Sequence, residues 1–270
     1  MDLSGSMGHA WGAAAGKSKA DAVADTVNRT LQNLVIRCAK GNGEQEEVRN
    51  YFEVVACGYR TDNAGNAVVG PILGGALQGR DVVPIAEIAA NPVRVEDRMR
   101  KVPDGAGGLV EQNFRMPVWV DPTANGGTPM VASMGWLHGR VSEWVRAKPT
   151  SFPPVIMHIT DGESTDGDPR PAAEQLKQVR TNDGNALLFN IHLSSGAGVP
   201  ILFPSNRDLL PDEFSKQLFD MSSPLPQSMR QQLMDAGYGI DEHARGFVYN
   251  SDLVELIKFF DIGTRPANLR

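Results

Sequence analysis

Apolar residues recur at helical spacing across residues 17–38, where Ala20, Val23, Ala24, Val27, Leu31, Leu34 and Val35 fall between polar positions. That pattern predicts a long amphipathic helix, ended by Gly41-Asn42-Gly43. Residues 51–59, rich in Phe and Val, predict a mostly buried strand. A turn at 62–66 lets 67–73 return as an antiparallel edge strand. From 74 to 118 the pattern blurs into Gly, Pro and short apolar pieces, with one helix over 85–90 and mixed charge over 94–101. This reads as a long loop carrying small elements of its own. Periodicity resumes over 130–146, where Met134, Leu137, Val141, Trp144 and Val145 share a helix face. Residues 155–160 are apolar almost without a break, as in a strand covered on both faces. A helix over 172–180 and a buried strand over 186–193 follow. Further helices are predicted over 212–221 and 227–236, a last strand over 247–249, a closing helix over 252–260 and a frayed tail over 263–270. The order of strand, acidic loop, helix and strand implies an α/β fold with a doubly wound, mostly parallel sheet flanked by helices. Residues 1–262 are expected to form a single domain with insertions at about 74–118 and 194–245.

Composition narrows the classes. Hydrophobic residues make up 41% and charged residues 21%, usual for a globular chain and unlike a disordered or membrane protein. No apolar run reaches the length of a transmembrane helix. A net charge of -6 and a pI near 5.4 argue against a nucleic-acid surface, which needs clustered Lys and Arg. Cys38 and Cys57 lack metal spacing and sit among apolar residues, so both read as reduced and buried. With no charged n-region or apolar h-region at the start, a cytoplasmic location is expected.

The candidate chemistry is in oxygen side chains. Asp2-Leu3-Ser4-Gly5-Ser6 places three hard oxygen donors at alternate positions around a glycine that permits a tight turn, a cluster suited to a small divalent cation. Two distant loops offer the remaining ligands: Gly126-Gly127-Thr128-Pro129, and Thr160-Asp161-Gly162-Glu163 at the end of a buried strand, where open α/β sheets place their ligands. Taken alone, Thr128 before Pro129 reads as a helix N-cap, and Asp161 reads equally as a turn or cap aspartate.

Together the three stretches resemble the Asp-x-Ser-x-Ser, Thr and Asp-Gly elements of a von Willebrand factor type A domain. The resemblance extends to the loop, helix and strand order over most of the chain, and is strongest to stand-alone bacterial proteins similar to the tellurite-resistance-associated group. It implies a metal-ion-dependent adhesion site in which Asp2, Ser4, Ser6, Thr128 and Asp161 hold Mg2+, with Mn2+ or Ca2+ as substitutes. A protein partner would supply an Asp or Glu carboxylate to the ion. A kinase or phosphatase is one implied partner and an AAA+ ATPase, as in chelatase-like systems, another; nucleic acid and membrane are not expected. Three departures stand out: the long segments 74–118 and 194–245, and the start. A metal loop at Asp2 should follow a buried central strand of about five residues, and only Met1 precedes it. A mis-assigned start or a truncated chain explains this. The alternative is that a neighbouring chain or a later segment fills the slot. A charged amino terminus one residue from Asp2 would also repel a cation.

Other chemistries fit poorly. Gly16-Lys17-Ser18 suggests a phosphate-binding loop, but the glycine needed five positions earlier is Trp11. Asn28-Arg29-Thr30 is a glycosylation sequon inside the first helix. A magnesium phosphatase built on a nucleophilic Asp2 would want a second Asp where Ser4 stands. His9, His138, His158, His192 and His243 show no metal spacing, and His158 and His192 read as hydrogen-bonded core histidines. No Gly-x-Ser-x-Gly occurs. The expectation is a binding domain and not an enzyme.

Overall fold

The computed structural model describes residues 1–11, 16–41, 47–103, 108–194 and 199–250. The closing helix and tail expected over 252–270 lie outside them. In chain order the main elements are α1 (Lys19–Cys38), β1 (Cys57–Thr61), β2 (Ala67–Pro71), α2 (Ile85–Ala90), β3 (Arg94–Pro103), β4 (Leu109–Val118), α3 (Met130–Ala147), β5 (Val155–Thr160), α4 (Arg170–Gln178), β6 (Leu187–His192), β7 (Ile201–Leu202), α5 (Glu213–Met221), α6 (Gln227–Asp235) and β8 (Phe247–Tyr249). The described residues form a mixed α/β structure with six α-helices, one mixed four-stranded sheet and several two-stranded ones. They fall into two compact units, one of residues 1–23, 57–70 and 123–270, the other of 24–56 and 71–122.

The first unit contains the mixed sheet, in the order β7-β8-β6-β5. β6 runs parallel to both β5 and β8, in a register that sets His192 beside Thr160 and Asn190 beside His158, while β7 is antiparallel to β8. Leu188, Phe189, Ile191, Phe247 and Val248 are buried, the two-sided burial that makes such strands continuous apolar runs. α5 packs on β6 and β8, and α3 on α4. Close packing makes Gly246 obligatory, since a Cβ there would stand 2.1 Å from the Phe189 ring. β1 and β2 pair across the turn at 62–66.

The second unit differs most from expectation. The segment read as a loop contains a hairpin of two ten-residue strands, β3 paired antiparallel with β4 from Arg94↔Val118 to Pro103↔Leu109. Its base is anchored by Met116, Val118, Trp119 and Val120, all buried, with the Trp119 indole donating to the Ile88 carbonyl at 2.7 Å. Asn28 of α1 accepts from the backbone N–H groups of Trp119 and Val120 and donates to the Val120 carbonyl. The single strand expected over 51–59 is two: Glu53–Val54 pairs with Val83–Pro84 in this unit, and Cys57–Thr61 belongs to the other.

Both cysteines are buried and form no disulfide among the described residues. His158 is a hydrogen-bonded core histidine at the centre of a buried chain. Tyr59 Oη lies 2.7 Å from its Nε2, Asn190 Oδ1 lies 2.8 Å from its Nδ1, and Asn190 donates onward to Ser222 Oγ at 2.9 Å. Because the Asn190 amide nitrogen is a donor, its oxygen accepts; Nδ1 therefore holds the proton and Nε2 accepts from Tyr59. His192 is buried between the rings of Phe214 and Tyr249, and its Nδ1 has no hydrogen-bond partner among the described residues, unlike the satisfied histidine expected.

Burial lowers His158 from 6.5 to about 3 and His192 from 6.5 to about 4. Between those values and 6.5 the unfolded chain binds protons that the folded one does not. The histidine contribution to stability is therefore complete above pH 6.5 and falls as pH drops toward 4. The expected slope is about 1.4 kcal/mol per pH unit for each histidine. Urea denaturation between pH 7 and pH 4.5 checks this: His158→Gln should flatten the slope by one proton.

Candidate functional site

The N-terminal segment lies against two strands of the first unit. Tyr59 N–H donates to the Met1 carbonyl at 3.1 Å, Leu3 N–H to the Tyr59 carbonyl at 3.0 Å, and Asp2 N–H to the Ile159 carbonyl at 2.9 Å. Residues 1–3 thus run parallel to β1, between it and β5. The Met1 nitrogen donates to the Cys57 carbonyl at 3.0 Å, and burial lowers its pKa, which weakens the repulsion expected from a charged amino group. Asp2 emerges at the rim where β1 and β5 end.

Each carboxylate oxygen of Asp2 is engaged. Oδ1 accepts from Ser4 N–H at 2.8 Å and Oδ2 from Thr160 Oγ1 at 2.7 Å. The residue is 1% exposed, and burial raises its pKa above the usual carboxylate range, with the Asp161 charge adding to the effect and the Thr160 and Ser4 hydrogen bonds opposing it. Ser4 precedes a 3-10 turn over Gly5–Gly8 without capping it through its side chain. Its hydroxyl instead lies 3.0 Å from that of Ser6, and Ser6 donates to Asp161 Oδ1 at 2.7 Å.

Thr128 reaches the same rim through a loop clamped on both sides. Gly5 N–H donates to the Gly126 carbonyl at 2.9 Å, Asn125 N–H to the Leu3 carbonyl at 2.7 Å, and Gly127 N–H to Thr61 Oγ1 at 2.7 Å. Thr165 accepts from Thr128 N–H through its hydroxyl at 3.1 Å and donates its own N–H to the Thr128 carbonyl at 2.9 Å. The helix-cap role considered for Thr128 is filled otherwise. Pro129 stands at the cap of α3 with no side-chain cap bond, and the Asp166 carboxylate accepts from Val131 and Ala132 N–H at 3.0 and 2.8 Å. This leaves the Thr128 hydroxyl for the site. A Cβ placed on Gly162 would meet Thr128 Oγ1 at 3.6 Å and Ser6 Oγ at 3.7 Å, so both hydroxyls crowd the same stretch of backbone.

All five residues singled out in the sequence meet here, within the first unit. Thr61, Thr160, Thr165 and Asp166 support them, and one cation was missed. Lys19, the first residue of α1, donates to Asp161 Oδ2 at 2.7 Å, with the two side chains 2% and 0% exposed. The signal was present in the spacing: Lys19 lies one turn before Val23 on the buried stripe of α1, where a solvated lysine does not belong.

The donor set suits a hard divalent cation. Neighbouring ligands of an octahedral ion at about 2.1 Å stand about 3.0 Å apart, and the Ser4 and Ser6 hydroxyls are 3.0 Å apart. Among the described residues no three His, Cys, Asp or Glu come together, so an ion would rest on two carboxylates and three hydroxyls. No protein-family model matches the chain, and no curated protein or solved structure does.

The loop depends on one backbone conformation. Gly126 has φ +77, and a Cβ there would stand 2.2 Å from the Thr61 carbonyl, so an alanine would be both strained and in collision. Gly126→Ala is expected to cost at least about 2 kcal/mol in chemical denaturation and to release Gly127 from Thr61 and Thr128 from Thr165. Gly65→Ala, also at positive φ but with open space around it, should cost less.

Proposed function

We propose that the chain is a non-enzymatic, magnesium-dependent protein-binding domain of the von Willebrand type A kind. Asp2, Ser4, Ser6, Thr128 and Asp161 hold the ion, and an Asp or Glu carboxylate of a partner protein completes its shell. The observation that carries this reading is the contact closing 155 residues of sequence, Ser6 Oγ to Asp161 Oδ1 at 2.7 Å, with Ser4, Thr128 and Asp2 at the same rim. The doubly wound arrangement belongs to the proposal. Its support is that residues 1–3 lie between β1 and β5, giving the order β2-β1-(1–3)-β5-β6-β8-β7.

A bound Mg2+ supplies concentrated positive charge to an incoming carboxylate. The chain orients that charge. Three of the five ligands are neutral hydroxyls, which leave the ion electron-poor. Asp2, Ser4 and Thr128 are buried, whereas Gly5 and Glu163 are exposed, so a partner carboxylate would reach a bound ion from the side of those two residues. Beside it lies a cavity of about 360 Å³ lined by residues of both signs, among them Glu163, Ser164, Arg170 and Arg207, a polar surface against which a partner can seat. Asp2, buried with both oxygens bonded, is placed to hold and not to attack, which supports binding over phosphoryl transfer. The described helices include none long and apolar enough to cross a membrane. A role as an intracellular regulatory or stress-response scaffold rests on the family resemblance.

The test is retention of the protein on immobilised peptides ending in Asp or Glu, in Mg2+ and in chelator. Mg2+-dependent retention is expected, reduced about tenfold or more in Thr128→Ala while the melting temperature stays within a few degrees. Equal retention in chelator contradicts the proposal.

A further inference from the structure

The Asp161 carboxylate already has a cation on it, and that cation belongs to the chain. We infer that Lys19 is a tethered counter-ion that holds the site closed, so that the Lys19–Asp161 pair and a bound divalent ion exclude each other. This rests on the metal-site reading above and adds a condition to it: the ion enters only by displacing an ammonium group.

The contacts at the rim divide into two kinds. Ser4 N–H, Thr160 Oγ1 and Ser6 Oγ are neutral donors to Asp2 Oδ1, Asp2 Oδ2 and Asp161 Oδ1. A carboxylate oxygen has more than one lone pair, so these bonds can persist beside a metal. Lys19 differs because it brings a full positive charge 2.7 Å from Asp161 Oδ2. An ion using either Asp161 oxygen, directly or through a water, would sit a few ångströms from that ammonium in a place with little solvent to screen it. The carboxylate cannot keep both at low cost.

Burial points the same way. A lysine is rarely enclosed unless paired, and Asp161, with a side chain 0% exposed, cannot remain charged without a positive partner. Lys19 therefore keeps the metal-free site folded. Its backbone is fixed, since Lys19 N–H donates to the His9 carbonyl at 3.0 Å, and Ser18 beside it is held by Asp21. Displacement needs only the flexible four-carbon stem to swing. The Gly5–Gly8 turn and the start of α1 can stay in place.

Calorimetric titration of the full chain with Mg2+ tests this on wild type, Lys19→Met and Lys19→Arg. The neutral methionine has similar length and fills the same space. Lys19→Met is expected to bind Mg2+ about tenfold or more tightly than wild type, and Lys19→Arg no more tightly than wild type. If wild type binds Mg2+ and Lys19→Met binds no better, the counter-ion proposal is overturned while the metal site stands. If none of the three binds, both fall. Should Lys19→Met fail to fold, wild type alone decides, through amine acetylation of Lys19 followed by mass spectrometry. Labelling several-fold higher in Mg2+ than in chelator supports displacement, and equal labelling overturns it.

Discussion

A carboxylate with no exposed side-chain surface cannot stay ionised unless something positive or strongly polar meets it. Asp161 is such a group at the end of β5, and the rim of the first unit is built to answer it. Ser6, within the turn that follows Asp2, and Lys19, at the start of α1, both reach it. Asp2 poses the same problem a few ångströms away and is answered by Thr160 and by the backbone of Ser4. Two carboxylates held together in this way are costly without a cation, and Lys19 brings one to Asp161; the proposed metal would bring another.

The sheet makes this geometry available. Residues 1–3 sit between β1 and β5 in a parallel register, so the first acidic side chain of the chain leaves the sheet where Asp161 does. Below the rim, the chain of Tyr59, His158, Asn190 and Ser222 crosses from β1 through β5 and β6 to the end of α5. A satisfied buried polar network fixes register more sharply than apolar packing alone. The acidic loop between β5 and α4 is thereby held from beneath.

Much of this was legible in the sequence, and for identifiable reasons. β5, β8 and α2 have the expected bounds because short apolar runs mark them. The five oxygen side chains gathered at the rim were legible because short spacing and a strand end are local features. The β3–β4 hairpin was not: Arg94, Glu96 and Arg98 alternate with Val95, Asp97 and Met99, so neither face is cleanly apolar. Its order depends on cross-strand partners and on ion pairs such as Arg98 with Asp25, which no local window contains. Thr128 as a helix cap was a fair local reading that Asp166, distant in sequence, displaced. Lys19 was not singled out in the sequence because its partner lies 142 residues away.

The most direct measurement of the central claim is anomalous diffraction from crystals grown with Mn2+ in place of Mg2+. The account predicts one strong peak about 2.1–2.3 Å from the hydroxyls of Ser4 and Ser6, on the side of Thr128 and Asp161. A saturating Mn2+ concentration that leaves no peak there, or places the ion only at other carboxylates, would contradict it.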